Sequence, residues 1–266
     1  MQPVLTFIVP VRHHENAPNW NDTVHYLKQT LTSIANQTDG DWNCLVVANS
    51  SSELPPFEDN RISLVAVDFD PNRLHERGDA TQEEFHESFR FDKGRRVLSA
   101  MNSGKLGKFY MIVDDDDFVH ENLVSHAKSH PNANGWFINK GYVWGDQGKL
   151  LMKFDRFDRK CGSSLIIKSS VFDFSTFSEK EMKLFLGSHM FVKDNLKERG
   201  LGLAELPFYG AVYRIGHRNA HSSSKSLLRQ FYINKKMFKS PQILFARLGC
   251  LKVVSQQIRR EFALNC

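Results

Sequence analysis

The sequence predicts an α/β protein in which a mixed, mostly parallel β-sheet is flanked by helices. Three short apolar runs precede residue 109, with a helix-like segment between the first two. A fourth apolar run, 109–113, leads directly into four consecutive aspartates, as expected where a buried strand reaches the edge of a sheet. With 266 residues, of which 41% are hydrophobic and 24% charged, the chain is long enough to bury a large core.

Each element follows from a local pattern. Strands are predicted where β-branched and aromatic residues run up to turn residues, at 5–12, 42–49, 62–68, 109–113, 136–140, 141–144, 150–154 and 163–167. A helix is predicted at 22–36, where apolar residues recur at helical spacing, and another at 92–104, where Asp92 could cap it and Gly104 end it. Two more are predicted at 121–130 and 179–199, ended near Pro131 and at Gly200. The polar stretch 70–90 lacks such spacing and is predicted to be an inserted loop or a short exposed helix.

Basic residues are concentrated towards the C-terminal end. Between Leu206 and Arg260 there are eleven Lys or Arg and no Asp or Glu, which leaves 24 basic residues against all 30 acidic ones elsewhere. We therefore predict a main domain at 1–224 and a basic helical extension at 225–266. Its apolar stripe could lie on an anionic membrane surface or pack on the body of the protein. The stripe is Leu244, Leu248, Leu251 and Ile258.

Other features limit the classes of protein that need be considered. We expect no secretory signal and no membrane-spanning helix, and hence a cytoplasmic protein, with peripheral contact to the inner face of the membrane if the basic helix binds it. The four cysteines lack metal-ligand spacing and are expected to be free thiols. The basic tail shows no nucleic-acid-reading motif, so nucleic acid is not an expected partner.

The four aspartates at 114–117 form the candidate site. Adjacent carboxylates repel one another, and a folded chain that concentrates them normally offsets the charge with a cation. Ligation by oxygen alone suits Mg²⁺ or Mn²⁺. A solvated acidic turn is the alternative, but the preceding buried strand favours a site.

Two further features could contribute to such a site. Arg95 and Arg96 lie in the helix predicted just before the acidic strand, where they could bind a diphosphate or form a solvated helix face. Trp144 could stack on a sugar ring or belong to the core.

Several separated segments resemble the GT-A fold nucleotide-sugar glycosyltransferases, and glycosyltransferase family 2 in particular. The segments are FIVPV at 7–11, KGRRVLSAMN at 93–102, MIVDDDD at 111–117, and the stretch from 187 to 215. The resemblance runs from residue 5 to about residue 224 and implies a Rossmann-like GT-A fold. It also implies metal-dependent, inverting transfer of a sugar from a nucleoside-diphosphate sugar, with UDP-sugar favoured, to a hydroxyl of a glycan or lipid-linked acceptor.

The resemblance implies roles for individual residues. Mn²⁺ or Mg²⁺ would be held by Asp114 and Asp116, with Asp117 also in the metal-binding set, and His217 or His221 would lie beside the metal and diphosphate. In the other register of the four aspartates, the ligands would be Asp115 and Asp117. Ser188-His189 stands where the family has a Glu-Asp pair, so His189 is either the base or a structural histidine. Asn49 replaces an aspartate that often reads the nucleotide base. The substrate-binding set is Pro10, Arg12, Asn49, Asp68, Arg95, Arg96, Asp115 and Trp144.

Two other functions stay open. The segment 115–119, DDDFV, fits the motif of haloacid dehalogenase-like phosphatases, although that motif normally ends the first strand of its domain. Because of the Ser188-His189 departure, the chain could also be a transferase-like domain that has lost its base and only binds a sugar nucleotide or a glycan.

Overall fold

A computed structural model describes residues 2–74, 80–216 and 249–264. Its strands are β1 (Leu5–Pro10), β2 (Trp42–Asn49), β3 (Ile62–Val67), β4 (Phe109–Ile112), β5 (Phe118–Val119), β6 (Gly135–Phe137), β7 (Lys140–Gly145), β8 (Leu150–Asp155), β9 (Leu165–Lys168), β10 (Ala204–Glu205), β11 (Ala211–Ile215) and β12 (Leu251–Val253). Its helices are α1 (Trp20–Ala35), α2 (Gln82–Met101), α3 (Leu123–Ser129), α4 (Glu179–Glu181), α5 (Val192–Glu198) and α6 (Gln256–Phe262).

The first sheet has seven strands in the order β10-β6-β9-β4-β1-β2-β3, and all except β9 run in the same direction. Successive side chains of β1 enter opposite cores, because side chains alternate across a strand. Phe7 and Val9 pack in the core that contains Leu31 of α1, whereas Ile8 packs in the core that contains Val97 of α2. The predicted mixed, mostly parallel sheet with helices on both faces is confirmed.

The second sheet has five strands in the order β12-β8-β7-β11-β5. Its core contains Phe118 of β5, Trp144 of β7 and Val212 of β11. Since β4 belongs to the first sheet and β5 to the second, the four aspartates between them lie where the chain passes from one sheet to the other. This position brings residues of both sheets to the acidic run.

Helix α2 begins much earlier than the sequence predicted. Thr81 caps it in a capping box with Glu84, and the helix runs through the second half of the polar stretch predicted to be an inserted loop or a short exposed helix. The periodicity missed this first half because few of its residues are buried. The predicted cap, Asp92, instead lies inside the helix and binds Arg95 and Arg96.

The predicted helix at 179–199 is interrupted. After α4 the chain forms a π-helical turn, Met182–Leu186, then leaves helical geometry until α5 begins at Val192. Gly187 lies against the backbone carbonyl of Arg90 so closely that a Cβ atom would collide with it. The break therefore depends on a residue without a side chain, and it carries Ser188 and His189.

The described part of the C-terminal region packs on the body of the protein. Leu251 lies in strand β12, which pairs antiparallel with β8, rather than in the predicted helix. Ile258 and Phe262 of α6 are buried in the core of the second sheet. Within 249–264 this supports packing on the body, while Ser240-Pro241, Leu244 and Leu248 lie outside the described residues. No helix in the described ranges combines the length and apolar character needed to cross a membrane.

Candidate active site

A cleft of about 430 Å³ opens at the carboxyl ends of β1 and β4. This is the edge at which parallel α/β sheets bind ligands. Side chains reach the cleft from the acidic turn, the loop after β1, helix α2, the loop before α5 and strand β11. The titratable side chains that line it are Arg12, His86, Arg90, Asp92, Lys93, Arg96, Asp114, Asp115, Asp116, His189, Tyr213 and Arg214.

The acidic run forms a tight turn rather than a continuous strand. The backbone N–H of Asp117 donates to the carbonyl of Asp114 at 3.2 Å, which closes the turn. As a result, Asp114, Asp115 and Asp116 line the cleft, whereas Asp117 points into the protein. Four neighbours in the sequence therefore occupy two different environments.

Asp117 is fully buried and accepts hydrogen bonds from three groups. The hydroxyl of Ser163 donates at 2.6 Å, the thiol of Cys161 at 3.1 Å and the backbone N–H of Arg214 at 3.2 Å. Burial, followed by the charges of Asp116 and Asp114, raises the pKa of Asp117 well above its ordinary value. The expectation that Asp117 binds metal, alone or in the register with Asp115, does not fit this geometry, because its carboxylate does not reach the cleft.

Protein cations offset much of the remaining negative charge. Lys93 forms an ion pair with Asp114, and Arg12 lies 3.9 Å from the carboxylate of Asp115. Burial acts to lower the pKa of Lys93, but the carboxylate of Asp114 outweighs it and the pKa is raised. Repulsion within the acidic run therefore does not by itself require a metal ion, contrary to the reasoning from sequence.

His189 is the candidate base and lines the cleft. Its loop is held by Arg159, which donates to the carbonyl of Met190 at 2.9 Å. The Nε2 atom is buried and has no hydrogen-bond partner among the described residues. Burial, followed by the positive charge of Lys93, lowers the pKa of His189 to about 4. The imidazole is therefore neutral at pH 7 and able to accept a proton.

Arg214 was not among the residues predicted to bind substrate. It is fully buried, and three of its side-chain nitrogens have no hydrogen-bond partner within the described part of the chain. Asp146 lies 3.8 Å away, and the guanidinium lies over the rings of Phe118 and Tyr26. Burial lowers its pKa. A buried guanidinium with unused N–H groups beside a cleft is suited to bind an anion.

A signal for Arg214 was present in the sequence. In the strand 211–215 it occupies the phase of alternation shared with the buried Val212, where a charged residue is unexpected.

Two of the predicted substrate-binding residues, Arg96 and Asn49, are hydrogen-bonded to each other. Arg96 lines the cleft, but it donates to Asn49 Oδ1 at 2.8 Å and to Asp92. Asn49 in turn donates to the carbonyl of Phe69 at 2.6 Å and is buried. Both hydrogen-bonding ends of the Asn49 amide are thus used within the protein, so the predicted role in reading a nucleotide base does not fit its placement.

Three other predicted residues lie away from the cleft. Arg95 binds Asp92 and stacks on Phe69. Asp68 is exposed beyond β3 and bonds to a neighbouring serine. Trp144 is 2% exposed, and its indole N–H donates to the carbonyl of Gly148 at 2.8 Å, so it belongs to the core, which was the alternative prediction. Pro10 and Arg12 do line the cleft, and His217 and His221 lie outside the described residues.

The cleft offers part of a metal-ligand set. Asp114 and Asp116 supply carboxylate oxygens of the kind that Mg²⁺ and Mn²⁺ prefer. Within 2–74, 80–216 and 249–264, three ligand atoms of His, Cys, Asp or Glu lie within 4.8 Å of one another only at His13, His14 and Glu15, and not at the acidic turn. The aspartates therefore fit an ion that completes its coordination with water and substrate phosphate oxygens.

No family model and no curated protein sequence matches the chain. Solved structures do match. S. aureus TarS is 14% identical with a TM-score of 0.48, over 93% of this chain and 43% of the TarS chain. Rv0371c from Mycobacterium tuberculosis H37Rv, in complex with manganese, is 13% identical with a TM-score of 0.37, over 80% of this chain and 92% of that one.

A nucleotide-diphospho-sugar transferase, so named, from Desulfovibrio desulfuricans G20 is 10% identical with a TM-score of 0.37, over 93% of this chain and 95% of that one. These likenesses are distant and do not assign a reaction. The first sheet is the mixed, mostly parallel sheet that the sequence predicted, and the acidic turn lies at the carboxyl end of its strand β4. The chain spans less than half the length of TarS.

Proposed function

We propose that this protein transfers a sugar from a nucleoside-diphosphate sugar to an acceptor hydroxyl. One observation carries the proposal: a single cleft brings together a neutral histidine, three cleft-lining aspartates and a buried arginine with unused N–H groups. The histidine supplies a base, and the arginine supplies a counter-charge for a phosphate group. Group transfer with an anionic leaving group needs both.

His189 would act on the acceptor. Because its pKa lies near 4, the imidazole is unprotonated at neutral pH and can remove the proton of a hydroxyl as that hydroxyl attacks the anomeric carbon. The proton would pass from the acceptor oxygen to the imidazole while the bond from the sugar to the diphosphate breaks. Attack from the face opposite the leaving group gives inversion, as the resemblance implied.

The cationic side of the cleft would act on the leaving group. Arg214 and Arg12 supply positive charge where the nucleoside diphosphate departs. Asp114 and Asp116 would hold Mn²⁺ or Mg²⁺, which stabilises charge on the diphosphate oxygens when bound. We favour a UDP-sugar as donor and a glycan or lipid-linked hydroxyl as acceptor. A cytoplasmic location and membrane contact through residues outside the described ranges stay predictions.

The two alternatives differ in how well the geometry supports them. A phosphatase of the haloacid dehalogenase type would use Asp115 as nucleophile and Asp117 as the second acid, but Asp117 is buried behind the turn. The motif also follows the fourth strand rather than the first. A non-catalytic sugar-nucleotide domain is favoured by one observation, the replacement of the family's Glu-Asp pair by Ser188-His189. Binding without turnover would distinguish it.

Calorimetric titration with UDP, GDP, CDP and dTDP, each with and without Mn²⁺, tests the proposal. We expect one nucleotide to bind in a metal-dependent manner, and this binding to be lost in Asp116→Ala. Asp155→Ala, which removes an exposed carboxylate at the end of β8, is the matched control and should bind like the wild type. Failure of every nucleotide to bind under both conditions would remove the chemical basis of the proposal.

A further inference from the structure

Asp114, one of the two aspartates assigned to the metal, already forms an ion pair with Lys93. Lys93 projects from α2 and its ammonium meets the Asp114 carboxylate at the floor of the cleft. The two side chains are only 25% and 32% exposed, so water screens the pair less than it screens a surface ion pair. An incoming divalent cation would therefore meet a positive charge already placed on its ligand.

The surroundings leave the pair little freedom to separate sideways. A Cβ atom on Gly162 would lie 2.5 Å from Asp114 Oδ2 and 2.9 Å from Lys93 Nζ, so the backbone at Gly162 closes one side of the pair. The backbone N–H of Asp114 donates to Ser163 at 2.8 Å, which fixes the other end of the residue. Lys93 also lines the cleft, so its ammonium can turn towards a ligand bound there.

The same cleft contains a second cation whose hydrogen-bonding groups are unused. Arg214 is buried, lines the cleft and has three side-chain nitrogens without a hydrogen-bond partner in the described residues. A diphosphate bound there would offer Lys93 new oxygen acceptors. The diphosphate would also neutralise the positive charge of Lys93, which otherwise opposes the binding of a cation at Asp114.

We propose that Lys93 competes with a divalent cation for Asp114 in the free protein. When the donor binds, the ammonium of Lys93 moves from Asp114 to pair with the diphosphate. Lys93 thereby couples the binding of metal and nucleotide, so that each raises the affinity for the other by the same factor. This inference rests on the proposed function for its nucleotide half. The competition at Asp114 depends only on the ion pair and is tested with the metal alone.

The test measures Mn²⁺ binding to the full chain by electron paramagnetic resonance of the free ion, with and without UDP. Lys93→Met removes the charge but keeps an apolar stem of similar length. Without nucleotide, we expect Lys93→Met to bind Mn²⁺ about tenfold more tightly than the wild type, and we expect UDP to enhance Mn²⁺ binding about fivefold less in the variant. Lys28→Met, which removes an exposed lysine paired with Glu58, should match the wild type on both counts.

Two further variants keep the result interpretable. Lys93→Gln, a different uncharged side chain, should behave like Lys93→Met, and Lys93→Arg, which keeps the charge, should stay near the wild type. Equal or weaker Mn²⁺ affinity in both uncharged variants, with the fold retained by circular dichroism, would overturn the inference. So would an unchanged enhancement by UDP. If no protein binds UDP, the proposed function fails, while the metal-only comparison still decides whether Lys93 competes at Asp114.

Discussion

The acidic turn has a cleft side and a buried side, and the two differ although they are built from the same residue type. On the cleft side, Asp114 and Asp115 face solvent-accessible space and are paired with Lys93 and Arg12. On the buried side, Asp117 is enclosed and accepts hydrogen bonds from uncharged donors. The difference shows that neighbouring carboxylates in a sequence can have different roles, because the role of each depends on the groups that surround it.

The comparison separates ligand binding from stability. Substitutions on the buried side should lower the free energy of unfolding, because they leave cavities or unpaired donors. Substitutions on the cleft side should weaken ligand binding while leaving the fold intact. Arg214 lies at the junction, since its backbone supports Asp117 and its side chain lines the cleft.

Replacing Trp144 should have the largest effect on stability. The indole fills the core behind the turn, so Trp144→Ala should lower the free energy of unfolding by about 3–5 kcal/mol, whereas Trp144→Phe should cost less because it leaves a smaller cavity. Urea denaturation followed by circular dichroism measures this. Retained stability together with lost sugar binding would instead assign Trp144 the stacking role first considered for it.

Replacing Asp117 should have the next largest effect. Asp117→Ala strands the hydroxyl of Ser163 and the backbone N–H of Arg214, and we expect the free energy of unfolding to fall by about 2–3 kcal/mol. Asp117→Asn keeps one acceptor oxygen and should lose about 1 kcal/mol. The same urea experiment reports both. If Asp115→Ala, on the cleft side, were equally destabilising, the division into two sides would be wrong.

Arg214→Met should separate the two properties at one residue. Because the guanidinium is buried without hydrogen bonds, an apolar side chain of similar length should leave the free energy of unfolding within about 1 kcal/mol of the wild type. UDP affinity should fall about tenfold, which corresponds to about 1.4 kcal/mol. Calorimetry and urea denaturation on the same sample provide both numbers. A large loss of stability with unchanged UDP affinity would make Arg214 purely structural.

The smallest expected effect is that of pH on the rate of donor turnover, which should change little between pH 7 and pH 5. The pKa of His189 lies below its ordinary value, so the base is neutral above about pH 4 and becomes protonated only as the pH falls through that value. Donor turnover should therefore stay within about twofold between pH 7 and pH 5, whereas a histidine titrating near pH 6.5 would lose most of its neutral form. Release of the nucleoside diphosphate across this range is the measurement. A decline centred near pH 6.5 would place the base elsewhere or expose His189 to solvent.

Local patterns in the sequence predicted much of the fold. The strand at 42–49 was predicted with the bounds the structure has, because its apolar run is long and ends at turn residues. Helix α2 was half missed, since its first turns are stabilised by the Thr81 capping box and not by an apolar stripe. Its second half, which packs on the first sheet, was predicted from a capping residue at Asp92 and the helix end at Gly104.

The candidate site was predicted in outline only. The sequence placed the four aspartates, Arg12 and His189 in one site, and all of these except Asp117 line one cleft. It also assigned Asn49, Asp68 and Trp144 to that site. Whether a residue can bind substrate depends on its hydrogen-bond partners and its burial, and neither can be predicted from the spacing of residues along the chain. Arg214 was missed for the same reason, because its capacity to bind an anion follows from side-chain N–H groups that have no hydrogen-bond partner within the described residues.

The sequence by itself determined that an apolar strand delivers carboxylates to the edge of an α/β sheet, because hydrophobic patterning and turn chemistry act over neighbouring residues. Only the tertiary structure decided which carboxylates face a ligand. The tight turn closed by Asp114 and Asp117 sends one aspartate into the protein and leaves three at the cleft. Lys93 and Arg12 come from distant segments to pair with two of them, and such pairing depends on distances that only the folded chain sets.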